Sequence, residues 1–175
     1  MNDRPMNDFG LDLAVIGNGH TAALLEPASR IVWWCYPRLD GDPVFSRLLA
    51  GDEEKGFCEV LLDDMVDYIS SYERNTAVVS TVLTNSQNAS LRITDFAPRF
   101  QNYGRIHRPA QLIRMIEPLS GLPRISIRVR PTTGYGQPVR DRSLGSNHIT
   151  YRGNDLAVRL TTDGPLSYIN SESTF

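Results

Sequence analysis

The dominant pattern along the chain is an alternation of period two. Ile125, Ile127 and Val129 interleave with Ser126, Arg128 and Arg130, and Leu156, Val158 and Leu160 repeat the arrangement. Leu91 and Ile93 alternate with Arg92 and Thr94. Successive side chains of a strand point to opposite faces, so these segments predict strands with one dry and one wet side. Further strands are predicted at 58–62, 66–72, 76–84, 112–116 and 148–151. Many short strands separated by turn residues predict a β-sandwich or barrel. One segment breaks the period. Across 43–50, Phe45, Leu48 and Leu49 share a helical face, Asp42 suits the N-cap, Pro43 the first helical position and Gly51 the stop. A single short helix is therefore expected there. Residues 99–109 and 134–147 read as long loops.

The segment 16–45 admits two readings. Gly17, Gly19 and Ala22 after an apolar run at 11–16 give the G-x-G-x-x-A spacing of a dinucleotide site, with Asp40 placed for a ribose. That motif needs a helix after the glycines to meet the pyrophosphate. Residues 20–26 allow barely two turns before Pro27, and β-rich sequence resumes at Ile31. A crossover between parallel strands needs a dozen residues or more. The second reading makes 17–19 and 27–29 hairpin connections between strands at 11–16, 21–25 and 31–35, since Asn18–Gly19 tolerates positive φ. It agrees with the period of the remaining chain.

These residues carry a resemblance. The order I-G-N-G-x-T-A-A-L-L from Ile16, W-W-C-Y-P-R-L-D from Trp33 and P-V-F-S-R-L-L from Pro43 resembles the N-terminal domain of family 15 glycoside hydrolases, the glucoamylase- and trehalase-like enzymes. Their usual pattern is I-G-D/N-x-x-T-A-A-L, a turn, then I-D-W-L-C-x-P-R-F-D-S-P-x-x-F. Residues 72–84, the run Thr94, Asp95, Phe96, Ala97, Pro98, and Arg130–Pro131 leading to Gly134, Tyr135 and Gly136 are similar too. The chain departs from the pattern at Val32 and Trp33, Leu39, Gly41, and Thr132 with Thr133. The resemblance implies an all-β fold, a large antiparallel sandwich of the supersandwich kind, followed in such enzymes by an (α/α)6 catalytic barrel. It implies inverting hydrolysis of α-glucosidic bonds by two barrel glutamates, with carboxyls roughly 6.5–9.5 Å apart to admit a water. No run of amphipathic helices suited to a barrel is present, so this chain alone is expected to be inactive, with no catalytic residue and no cofactor of its own.

Length and charge agree. At 175 residues the chain suits one domain, and 18 basic against 20 acidic residues leave −2, no footprint for nucleic acid or an anionic membrane. Residues 1–10 are polar, lack the apolar core of a signal peptide and are expected as a disordered tail before a domain at 11–175. Cys35 and Cys58 lie in apolar strands without metal-site spacing and read as free thiols of a cytoplasmic protein. The sequence also suggests a sandwich without its last strands, whose unpaired sheet edge would favour a homo-oligomer.

The richest candidate chemistry is Trp34, Tyr36, Arg38 and Asp40, with Trp33 beside them. Aromatic faces stack on sugars, and Arg and Asp hold hydroxyls with directed hydrogen bonds. Alternation sets Trp34 and Tyr36 on one face and Trp33 and Cys35 on the other, so one tryptophan belongs to the core. Either Arg38 and Asp40 pair in a buried corner, or the 36–40 loop walls the sugar pocket of a downstream barrel. The alternative function is a free-standing carbohydrate-binding module with Trp34, Tyr36 and Tyr135 as its platform. Glu53 and Glu54 are adjacent on a charged turn and cannot flank one substrate. His20, His107 and His148 lack companions at ligand spacing.

Overall fold

The computed structural model describes residues 12–51, 53–153 and 156–175. Strands β1 (Ala14–Gly17), β2 (Ala22–Leu25), β3 (Ile31–Cys35) and β4 (Pro43–Ser46) come first, then a 3-10 turn at Arg47–Leu49 and β5 (Phe57–Leu62). Next are β6 (Met65–Tyr72), β7 (Val79–Asn85), β8 (Ser90–Phe96), a small hairpin of β9 (Phe100–Asn102) and β10 (Arg105–His107), then β11 (Ile113–Ser120) and β12 (Ile125–Arg130). The chain continues through β13 (Thr132–Thr133), β14 (Gln137–Pro138), β15 (Asp141–Leu144), β16 (His148–Arg152), β17 (Ala157–Thr161) and helix α1 (Leu166–Ser171). The first sheet runs β1-β2-β3-β5-β12, with β4 also on β3, and the second runs β11-β8-β7-β6. All of these pairings are antiparallel. The fold is the expected all-β sandwich, and β15, β16 and β17 form a further three-stranded sheet. The expected disordered tail at 1–10 lies outside the described residues.

Alternation supplies the core. Val79, Thr81 and Leu83 of β7 and Leu91, Ile93 and Asp95 of β8 point inward and are buried. They meet Ile16, Ala23, Leu25, Ile31, Trp34, Val60 and Leu62 from the first sheet, all buried. A buried ion pair joins the layers. Arg114 of β11 donates to both oxygens of Asp95, at 2.7 and 3.2 Å, and to the carbonyl of Cys58 at 3.3 Å. The Ser29 hydroxyl, in the β2–β3 turn, donates to the same carboxylate at 2.5 Å. Asp95 is fully buried and accepts at least three bonds, which is what a buried carboxylate requires.

The wet face predicted for β12 is only half wet. Arg128 and Arg130 lie opposite Glu59 and Phe57 of β5. Phe57 is completely buried, with the guanidinium carbons of Arg30, Arg128 and Arg130 at 5.3, 5.2 and 5.5 Å from its ring centre. Glu59, also buried, is held between Arg30 and Arg128. Arginine stems thus seal an aromatic ring while their heads are neutralised, covering apolar surface without exposing it.

Three expectations are corrected. The helix at 43–50 is absent: β4 occupies Pro43–Ser46 and only Arg47–Leu49 coil, as a 3-10 turn. Pairing of β4 with β3 (Trp33 to Ser46, Trp34 to Phe45) buries all four β4 residues, and eight residues of helical pattern are too few to outweigh that. The helix is instead at Leu166–Ser171. Residues 99–109 and 134–147 are not plain loops, since they contain β9, β10, β14 and β15.

Candidate functional site

The residues of interest gather at one end of the sandwich. The 17–21 turn after β1, the 36–42 loop after β3, the 73–78 turn after β6 and the segments flanking β9 and β10 all emerge there. Asn18 organises this end. It is buried, its Oδ1 accepts the backbone N–H groups of His20 (2.9 Å) and Thr21 (3.1 Å), and its Nδ2 donates to the carbonyls of Pro98 (2.9 Å) and Pro109 (2.8 Å). One amide therefore closes the turn and ties the far sheet to it, using both donors and both acceptor sites. Gly19 sits at φ +82, within the turn. Antiparallel β2 follows at Ala22 in place of a helix, so the dinucleotide reading is excluded.

Trp34 stands beneath the end as a post. It is 6% exposed, and its Nε1 donates to the Thr21 hydroxyl at 2.7 Å. Tyr36 meets it edge-on at 5.2 Å and Phe45 lies 5.9 Å away, the aromatic geometry that quadrupoles favour. Tyr36 is half-buried and begins the loop with a cis Tyr36–Pro37 bond. The Gly41 N–H donates to the Arg38 carbonyl at 3.0 Å, and a Cβ on Gly41 would fall 2.7 Å from the Tyr36 oxygen. That approach suits glycine at the position where the resembling pattern carries serine.

At the loop tip Arg38 donates twice to Asp40, both at 3.0 Å, with the side chains 71% and 72% exposed. The pair forms, but in solvent and not in a buried corner. The structure thus groups Trp34 with Tyr36 and Arg38 with Asp40, and separates core from surface between the two groups. Exposed pairs hold little energy, so these fork-shaped groups are free to exchange partners for a ligand or a facing surface. Asp42, absent from the sequence-derived candidates, accepts the N–H groups of Gly134 and Tyr135 (the latter at 2.8 Å) and so fixes a second turn beside the loop. Tyr135 is 67% exposed at φ +56. With Trp34 buried, Trp34, Tyr36 and Tyr135 do not make an exposed platform, so the binding-module alternative loses its central residue.

Asn18 too was legible only as a turn former. Its clamp joins carbonyls 80 and 91 residues away, a relation that no local spacing shows. A cleft of about 680 Å³ opens between the 17–19 turn, residues 75–78 and residues 96–100. Among the described residues no group of three His, Cys, Asp or Glu side chains could hold a metal ion. Glu53 pairs with Lys55 at 2.6 Å and Glu54 with Arg128 at 3.2 Å, so the two adjacent carboxylates serve different partners. Cys35 and Cys58 are both free thiols. No helix among the described residues is long and apolar enough to cross a membrane.

Comparison with known proteins agrees with this architecture. Residues 11–173 match the family described as trehalase-like, N-terminal. Over 125 residues, 70% of the chain, the sequence is 35% identical to a trehalase of Thermoplasma volcanium. The chain spans 19% of that relative's length. No solved structure matches it. With the match reaching from the start of the β1 segment to the residues after α1, the protein belongs to the trehalase-like N-terminal domain family.

Proposed function

We propose that this chain is the non-catalytic domain of a glucoamylase- or trehalase-like glycoside hydrolase, steadying a downstream (α/α)6 barrel and lending its 36–40 loop to the wall of the sugar pocket. The parent reaction is the inverting hydrolysis of an α-glucosidic bond. The observation that carries the reading is the Arg38–Asp40 pair, two polar groups presented to solvent that bond to each other and to no other side chain among the described residues. Trp34 and Tyr36 form the support and not the contact surface: their rings pack edge-on beneath the loop. The family match and the trehalase relative support the hydrolase setting and put trehalose first among the substrates to try. Free Cys35 and Cys58 suit a reducing compartment, and the cytoplasm is the proposed location.

The test measures glucose released from trehalose, maltose, maltotriose and dextrin by this chain and by a form extended through its downstream reading frame. Activity is expected in the longer form alone. There, Arg38→Ala and Asp40→Ala should each lower kcat/KM by roughly ten- to a hundredfold if they hold sugar hydroxyls, the worth of one charged hydrogen bond. Hydrolysis by the short chain would overturn the proposal, because the acid and base would then lie among these 175 residues.

A further inference from the structure

The hairpin of β9 and β10 adds no strand to either large sheet and no buried side chain to the core. All six of its strand residues are exposed, and it pairs only with itself. Its conformation is nevertheless well specified. Its two-residue turn places Tyr103 at φ +48 and Gly104 at φ +72, the paired positive values of the tightest hairpin connection. Phe100 and His107 stack across it at 5.4 Å with planes 10° apart. Both of its feet are clamped, since Pro98 and Pro109 are the two carbonyls that the Asn18 amide holds. At the tip Tyr103 is 96% exposed, with Ile106 and Phe100 exposed behind it. Ordering such a hairpin while leaving its apolar side chains in water brings no return within the domain.

Its charge names the partner. No Asp or Glu occurs between Asp95 and Glu117, while Arg99, Arg105 and Arg108 are all exposed and make no ion pair among the described residues. On a chain whose formal charge is −2, this is a local concentration of positive charge around an aromatic knob. The 680 Å³ cleft opens at its foot, so knob and groove lie side by side. We infer that residues 99–108 form a preformed docking arm that seats Tyr103 in an apolar notch bordered by carboxylates on the catalytic domain of the same enzyme. The inference rests on the two-domain reading above. It is favoured over a second copy of this chain because the arm leaves from the same end as the 36–40 loop assigned to that interface. Preorganisation keeps the ordering cost out of the docking step, and the arginines select an acidic face.

The experiment uses the two-domain enzyme and this chain alone. Calorimetric melting of the enzyme carrying Tyr103→Ser, Arg105→Glu and Arg108→Glu should split one transition into two. The same substitutions in the isolated chain should shift its single Tm by no more than about a degree or two. There the side chains of Tyr103, Arg105 and Arg108 make no hydrogen bond or ion pair among the described residues, although the Arg108 guanidinium lies beside Gly19. A photo-reactive phenylalanine analogue at position 103 of the enzyme should cross-link to a peptide beyond residue 175 that is rich in Asp and Glu. An unsplit transition, or a cross-link to the chain's own sandwich or to a second copy, would overturn the inference. So would binding of the wild-type chain to phosphatidylglycerol vesicles that the Arg105→Glu variant abolishes, because the arm would then face a membrane. If the enzyme hydrolyses no glucoside yet its melting splits and the cross-link forms, the arm stands and the glycosidase reading falls.

Discussion

Arg38 holds Asp40 with two bonds of 3.0 Å, and Arg114 holds Asp95 at 2.7 and 3.2 Å, yet the two pairs are expected to respond in opposite ways to mutation. The first is over 70% exposed, so Arg38→Ala should change the stability of this chain by less than about 1 kcal/mol. Asp95 is buried and Arg114 nearly so, and Asp95→Asn leaves the guanidinium without its counter-charge between the sheets. A loss of about 3–5 kcal/mol is expected, read as a lowered urea midpoint. Equal losses in the two variants would contradict this ranking. A pH effect belongs to the same scale. Hydrogen bonds from Arg130 hold the Glu172 carboxyl below the ordinary glutamate value, against the opposing effect of burial. Its contribution to stability is therefore complete above the unfolded-state pKa and fades as the pH falls through the lowered folded-state value. Glu26 runs the other way, because burial pushes its carboxyl up. Its contribution is complete below the unfolded-state pKa and fades as the pH rises through the folded-state value. Urea melts across the carboxylate range should show Glu172→Gln flattening the acid loss of stability, and an unchanged slope would assign that loss to other groups. At this scale the sequence conveyed residue types but not environments. Arg38 and Asp40 are two positions apart and were legible as a pair, whereas Arg114 and Asp95 find each other only through strand register, and depth decides what each pair is worth.

The strands were the most legible elements because their signal is local. The alternation in β8 reports which face is dry without reference to any neighbour, whereas in β12 the arginines are drawn down over Phe57 and blur it. β4 was hidden for the opposite reason: a cap, a proline and three spaced apolar residues made a consistent local case for helix, and only the seat on β3 overrode it. The β9–β10 hairpin was hidden because its turn uses Tyr103 where Asn or Asp would announce it. Edges show the same dependence on distant parts. β1 borders the first sheet, and the Tyr72 hydroxyl from the second sheet fills its open side, accepting the Val15 N–H at 2.6 Å and donating to the Val15 carbonyl at 3.0 Å. The far edge of β12 is met at Ile125 by both backbone groups of Phe175, at 3.0 and 2.9 Å. Tyr72→Phe keeps the ring and uncovers the β1 edge. It should cost no more than about 1 kcal/mol and raise concentration-dependent association seen by sedimentation. A variant that sediments as wild type at every concentration would show that the hydroxyl does not guard this edge.

At the scale of the molecule, the family resemblance and the antiparallel sandwich were legible from ordered segments, while the site was not. The candidate residues 34–40 lie within one short stretch, but what they do depends on Asn18, Asp42 and the 96–110 excursion, which the fold collects from separate parts of the chain. The same threading has a mechanical consequence. The chain leaves the first sheet at Leu62, builds the second from β6, β7, β8 and β11, and returns at Ile125 to lie against β5. The exposed turn at 86–88 divides both sheets between the two halves of the sequence, because β7 pairs with β8 across it and β5 pairs with β12. A protease nick there should therefore leave two fragments clasped like linked hands, co-eluting in native buffer and parting only in denaturant. Separate elution without denaturant would refute the clasp. A domain with this weave is a natural split reporter, whose halves reconstitute two sheets in one act of association.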